Sequence, residues 1–185
     1  MVADFPQNRA MALRGLWAVA SLRFAVAEMV GTQRLGGPVP HIKRSAVVRH
    51  SPQAMFDLVN DVDRYPEFLP WCRSAAVLDE GTGWRRARIE MAKGPLHRSF
   101  TTRNELDPGR GIRIRLEDGP FRKLAGDWHF DEFGDGGCRV TLDLEFEFAG
   151  VFLQRAFGPL FNQIASTLVD SFCRRAEALH GRRGS

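Results

Sequence analysis

Apolar and polar residues alternate most cleanly near the C-terminal third of the chain. In Thr141–Phe148, Leu142, Leu144, Phe146 and Phe148 interleave with Thr141, Asp143, Glu145 and Glu147. A period of two predicts a strand with one buried and one wet face. The same pattern predicts strands at Trp84–Met91 (Ala87, Ile89, Met91 against Arg86, Arg88, Glu90), at Ile112–Leu116 (against Arg113 and Arg115), and at Leu124–Phe130 (Leu124, Trp128, Phe130 against Ala125, Asp127, His129). Ile42–Arg49 is strand-like through its Val and Ile content. Turn-forming residues separate these runs at hairpin spacing: Glu80-Gly81, Asp107-Pro108-Gly109, Asp118-Gly119-Pro120 and Gly134–Gly137.

The period changes elsewhere. Ser51-Pro52 opens a short helix over Gln53–Asn60, with an N-cap hydroxyl and a proline at the first helical position. Asp61–Pro70 predicts a second short helix or turn. At the end, Leu153, Phe157, Phe161, Ile164, Leu168, Phe172, Ala176 and Leu179 recur at helical spacing, which predicts one long helix. Gly158-Pro159 is expected to bend or restart it, because Pro159 has no N–H for the Arg155 carbonyl. The order is strand, two short helices, about six further strands, long helix. That is an α+β domain: an antiparallel sheet of six to seven strands with its helices on one face.

The domain begins after Gly36-Gly37-Pro38-Val39-Pro40. Three segments follow: an N-terminal extension over 1–40, the α+β domain over 41–180, and a tail over 181–185. The extension is apolar but broken by Arg14, Arg23 and Glu28, and its longest uncharged run, Gly15–Leu22, has eight residues. A spanning helix needs about 20. Two readings stand: a disordered or amphipathic extension, or a mitochondrial transit peptide carrying four arginines. The corresponding locations are the cytoplasm, with a peripheral place at a bacterial inner membrane, or the mitochondrion.

Composition narrows the class. Of 185 residues, 44% are hydrophobic and 26% charged, which excludes a disordered chain and a multi-span membrane protein. Cys72, Cys138 and Cys173 contain no CxxC, so neither a disulfide framework nor a structural metal site is expected. No nucleophile–base–acid order, HExxH motif or phosphate-cradling glycine loop appears, and no catalytic residue is assigned. The net charge of +4 conceals a strong asymmetry. Trp84–Lys123 is basic and Leu124–Gly150 is acidic. If Arg86, Arg88, Arg103, Arg113 and Arg115 share the wet sheet face, they form a patch suited to RNA or anionic lipid; otherwise they are a solvated face balanced by the acidic strands. The apolar positions are unusually aromatic. Trp71, Phe100, Trp128, Phe130, Phe146, Phe148, Phe157, Phe161 and Phe172 either fill the core or line a cavity between sheet and helix.

Several ordered motifs carry a resemblance: Met55–Val62 running on to Tyr65-Pro66-Glu67-Phe68-Leu69-Pro70-Trp71-Cys72, then Phe100–Asn104, Asp118–Leu124 and Asp143–Phe148. From about His41 to Leu179 the chain resembles the coenzyme-Q-binding START-domain family, whose bacterial members are also termed RatA-type ribosome association toxins. The resemblance implies a helix-grip (START/Bet v 1-like) fold, a curved sheet around the long C-terminal helix, within the polyketide cyclase/dehydrase-like lipid-binding superfamily. It implies a non-enzymatic role: binding ubiquinone or a related polyprenyl lipid in a hydrophobic tunnel, in support of respiration. The alternative it implies is binding to the large ribosomal subunit with block of subunit association, and a small antitoxin partner. Phe68, Leu69, Pro70 and Trp71 would form a wall or the mouth. Met91, Phe121, Ile164 and Leu168 would join the aromatic residues in the lining. Lys123 would offer a polar group at the mouth.

Overall fold

The computed structural model describes residues 40–181. The readings of residues 1–39 and 182–185 lie outside the described residues.

Strand β1 (His41–Val48) is followed by helix α1 (Pro52–Asn60) and a 3₁₀ turn (Val62–Glu67). Six strands come next: β2 (Cys72–Gly81), β3 (Trp84–Lys93), β4 (Leu96–Asp107), β5 (Gly111–Asp118), β6 (Phe121–Phe133) and β7 (Gly137–Phe148). Helix α2 (Val151–His180) closes the fold. The seven strands form one antiparallel sheet in the order β1-β7-β6-β5-β4-β3-β2. Strands β2 to β7 are a meander, and β1 returns to pair with β7 from His41↔Glu145 to Val48↔Cys138.

Local chemistry explains the elements. The Ser51 hydroxyl accepts from the Ala54 N–H at 3.2 Å, and Pro52 sits at the first helical position of α1. Strand β7 buries Val140, Leu142, Leu144, Phe146 and Phe148, as its alternation predicts. Gly119 closes the β5–β6 turn at φ 144°, where a Cβ would stand 2.6 Å from the Phe100 Cβ. A side chain there meets both strain and a clash. On edge strand β1, Arg44 shares the inward parity of Ile42 and Ala46, and its Nε is buried without a hydrogen bond. An inward charge of this kind discourages edge-to-edge pairing.

Two expectations need correction. Helix α2 runs unbroken from Val151 to His180 with Pro159 inside it. Pro159 is exposed, while Phe157, Phe161, Ile164 and Ala165 around it are buried. Burying a large apolar side chain is worth about 1.5–3 kcal/mol, so Phe157, Phe161 and Ile164 alone outweigh the ~3 kcal/mol cost of an internal proline. Second, the alternation did not single out β2 or β4. Strand β2 is an exposed edge, and β4 carries polar Thr102 and Asn104 on its inner face.

The core lies between the inner sheet face and α2. Phe146, Phe157 and Phe172 are the largest fully buried side chains.

Candidate functional site

Two surfaces of the sheet carry the candidate chemistry. Inside, a cavity of about 80 Å³ lies between sheet and α2. Trp71, Phe100, Trp128, Phe161, Ile164 and Leu168 line it, all six among the residues expected there. The rest of the expected lining stands elsewhere. Leu69, Met91 and Phe146 are fully buried core side chains. Phe121, Phe148 and Phe157 pack on one another, with ring centroids 4.4 Å (Phe121–Phe148) and 6.3 Å (Phe148–Phe157) apart. Phe130 packs edge-on against Phe56 of α1 at 6.1 Å. Phe68 is half-buried against Phe172 at 5.2 Å, and Pro70 is exposed. Lys123, expected at the mouth, points away from the cavity: it neighbours inward Leu124 and pairs with Glu145 at 2.5 Å on the outer face.

The polar groups of the cavity come from residues that the aromatic pattern passes over. Tyr65, Thr102 and Asn104 line it. The Tyr65 hydroxyl donates to the Val59 carbonyl at 2.5 Å, and burial pushes its ionisation well above the usual tyrosine range. Asn104 is 8% exposed, and its Oδ1 is buried with no hydrogen-bond partner. Strand parity could have found the last two: with Phe100 inside, Thr102 and Asn104 must follow. Cys72, next to Trp71, is held as a neutral thiol, its pKa pushed up to about 12 by burial with Glu90 adding to the effect. A larger groove of about 980 Å³ runs along the β4–β5 turn and β6, but it is an open cleft lined by Glu105, Asp107, Arg110, Asp127, Asp131 and Glu132 among others. Its mixed charges do not suit an apolar ligand.

Outside, register builds a row of like charge. Arg86 of β3 stands directly opposite Arg103 of β4, and Arg103 directly opposite Arg115 of β5. Arg88 is opposite Thr101, and Arg113 opposite both Glu105 and Asp127. All five expected arginines therefore share the outer face. Arg86 Nε donates to Glu117 at 2.6 Å, which raises its pKa further. Arg113 contacts Glu105 and Asp127, each at 3.3 Å.

Among the described residues, no group of three or more His, Cys, Asp or Glu could hold a metal ion, and no helix is long and apolar enough to cross a membrane.

Comparison with known proteins places this architecture. The family model described as polyketide cyclase / dehydrase and lipid transport matches residues 48–173. The ribosome association toxin RatA of Pseudomonas aeruginosa is 52% identical over 141 residues, covering 76% of this chain and 98% of that protein. The coenzyme Q-binding protein COQ10 homolog B, mitochondrial, of Xenopus laevis is 26% identical over 161 residues, covering 85% of this chain and 64% of its own. Among solved structures, the Zhui aromatase/cyclase from Streptomyces sp. R1128 superposes with a TM-score of 0.66 at 18% identity, covering 80% of this chain and all of that one. That last likeness shows the fold alone: a helix-grip sheet around a long C-terminal helix.

Proposed function

The chain belongs to the polyketide cyclase/dehydrase and lipid transport family and, within it, to the RatA group; from that membership we propose that it binds the large ribosomal subunit and blocks subunit association. The observation that carries this reading is the outer face of β3–β5, where Arg86, Arg103 and Arg115 stand in one cross-strand row. Like charges directly opposite destabilise a sheet. A polyanion bound at Arg103, the middle of the row, offsets that repulsion and releases counterions. The reading is of a binding protein, not an enzyme: the polar groups of the cavity are a hydrogen-bonded tyrosine, a threonine and an asparagine.

The test is co-sedimentation of the full chain with purified large subunits over a range of salt, followed by reassociation with small subunits on a gradient. Binding that weakens with salt, together with fewer joined ribosomes, is expected. Salt-independent binding, or unchanged subunit joining, overturns the reading.

The apolar cavity supports a second reading, a bound ubiquinone or other polyprenyl lipid. Its volume argues against that reading as the primary one. About 80 Å³ is far below the ~300–1,000 Å³ of pockets that enclose a drug-sized ligand. Solvent extraction of the purified protein and mass spectrometry decide it: near-stoichiometric quinone would make the lipid primary, and an empty extract that stays empty after added quinone would remove it.

A further inference from the structure

The five outer arginines are not equivalent. Arg113 is held between Glu105 and Asp127, at 3.3 Å each. Arg115 is 3.9 Å from Asp127 and donates to its neighbour's carbonyl, Ile114 O, at 2.8 Å. Arg86 is bound to Glu117 at 2.6 Å. An anion approaching any of these three meets carboxylate charge already in place. Arg88 and Arg103 are different: among the described residues neither forms an ion pair. Arg88 is exposed, opposite Ala76 on one side and Thr101 on the other.

Arg103 is also held in place. Its guanidinium lies 4.0 Å from the ring centroid of Trp84. The Trp84 ring also rests on the β2–β3 turn, where a Cβ at Gly81 would stand 2.6 Å from Trp84 Nε1. Trp84 is thus in close contact with both Gly81 and Arg103. A guanidinium stacked on a ring keeps its edge N–H groups free, and little side-chain entropy remains to be lost when they bind. Arg103 is two positions diagonal from Arg88 across the β3–β4 pair and directly opposite Arg86, a spacing of about 5–8 Å between Cβ atoms. The set is a preorganised fork with a free guanidinium beside it.

Resting on the ribosome reading above, we infer that Arg88 and Arg103, and not Arg113 and Arg115, grip the RNA phosphate backbone. Phosphate oxygens take paired N–H donors from arginine in a bidentate arrangement. The contact is to backbone, so it carries affinity and salt dependence, not sequence preference.

Two double variants with the same change in net charge test this: R88Q/R103Q and R113Q/R115Q. Each is measured as the full chain against large ribosomal subunits and against a short RNA duplex, over a salt series. R88Q/R103Q is expected to weaken both interactions about ten-fold or more and to reduce the slope of log affinity against log salt by about two. R113Q/R115Q is expected to change affinity by less than about three-fold. R88K/R103K, which keeps the charge but loses the planar fork, is expected to retain the salt slope with reduced affinity; because it disturbs packing least, it stands in if the glutamine variant fails to fold. Equal losses in the two glutamine variants would reduce the effect to net charge and overturn the inference, as would a larger loss in R113Q/R115Q. Subunit binding without any duplex binding would make the partner an acidic ribosomal protein and overturn it as well. If the unmutated chain binds the duplex through Arg88 and Arg103 but not the subunit, the ribosome reading falls and the phosphate site stands.

Discussion

Arg175 of α2 forms an ion pair with Glu67, 108 positions earlier at the end of the 3₁₀ turn. The Arg175 guanidinium also lies 5.2 Å from the Phe68 ring centroid, and Phe68 in turn packs edge-on against Phe172. This contact clamps the segment that carries Val62, Tyr65 and Trp71, one side of the cavity, onto the long helix. Arg175→Ala is expected to loosen that segment without unfolding the sheet. Hydrogen exchange at residues 62–71 should rise, and a hydrophobic dye should bind more strongly. The stability cost should be about 1–2 kcal/mol, since Arg175 is only 18% exposed and loses both its pair and its stacking. Unchanged exchange in that segment would show that the aromatic packing alone holds it.

Tyr65 is the only tyrosine in the chain, which gives the cavity wall its own optical probe. Burial, with smaller contributions from Cys72 and Asp61, holds its phenol protonated well above the usual range. Burial also pushes Cys72 and Cys173 up to about 12 and Cys138 up to about 11. These groups are favoured in their neutral form by folding. The unfolded chain releases thiol protons from about pH 8.5 and the phenol proton from about pH 10. The contribution to stability is therefore complete below about pH 8.5 and is lost as pH rises toward the folded values. Denaturant midpoints should fall above pH 9, and the tyrosinate absorbance should appear together with loss of structure. A tyrosinate band near pH 10 in the folded protein would contradict the buried hydrogen bond to Val59.

How much of this was legible depends on the strand. In β7 from Cys138 to Phe148 and in β5 from Ile112 to Glu117 every inward position is apolar and every outward one polar, so period and face read directly from the chain. In β4 they do not. A register shift between Thr101 and Thr102 buries both threonines, and Asn104 follows them inward, so the strand reads as polar although its inner face is closed. The family motif puts Lys123 at the mouth, yet its neighbour Leu124 faces in, and parity alone sends Lys123 out. The row of Arg86, Arg103 and Arg115 was not legible: it depends on the lengths of the β3–β4 and β4–β5 hairpins, which fix partners across strands, whereas alternation fixes only faces. Cavity volume was also beyond reach, because it is the space left by side chains from every element packed against it.

The buried Oδ1 of Asn104 predicts an unusual substitution. Leaving a polar atom buried without a partner costs about 1–3 kcal/mol. Asn104→Leu is close in volume, removes the unpaired oxygen, and adds apolar surface beside Ile114 and Leu124. The variant should be as stable as the unmutated chain or more so, by up to about 2 kcal/mol, with ribosome binding unchanged because the site is on the other face. A loss above about 2 kcal/mol would mean that the carboxamide makes a hydrogen bond in solution, to water or to a bound molecule, and would strengthen the cavity as a ligand site.

Pro159 gives the sharpest test of helix α2. It is the ninth of thirty helical residues, exposed, and flanked by buried Phe157 and Phe161. Its ring removes the bond that would satisfy the Arg155 carbonyl, at a cost of about 3 kcal/mol relative to alanine in an unstrained helix interior. The anchoring residues on either side keep the helix continuous, so the cost is carried as lost stability and not as a break. Pro159→Ala should therefore stabilise the protein by about 1–3 kcal/mol, read as a higher denaturant midpoint with an unchanged slope. Had the proline marked a functional restart of the helix, alanine would straighten α2 there and disturb the Phe121, Phe148 and Phe161 packing, and stability would fall. The two cases differ in the sign of the shift, so a single denaturation curve separates them.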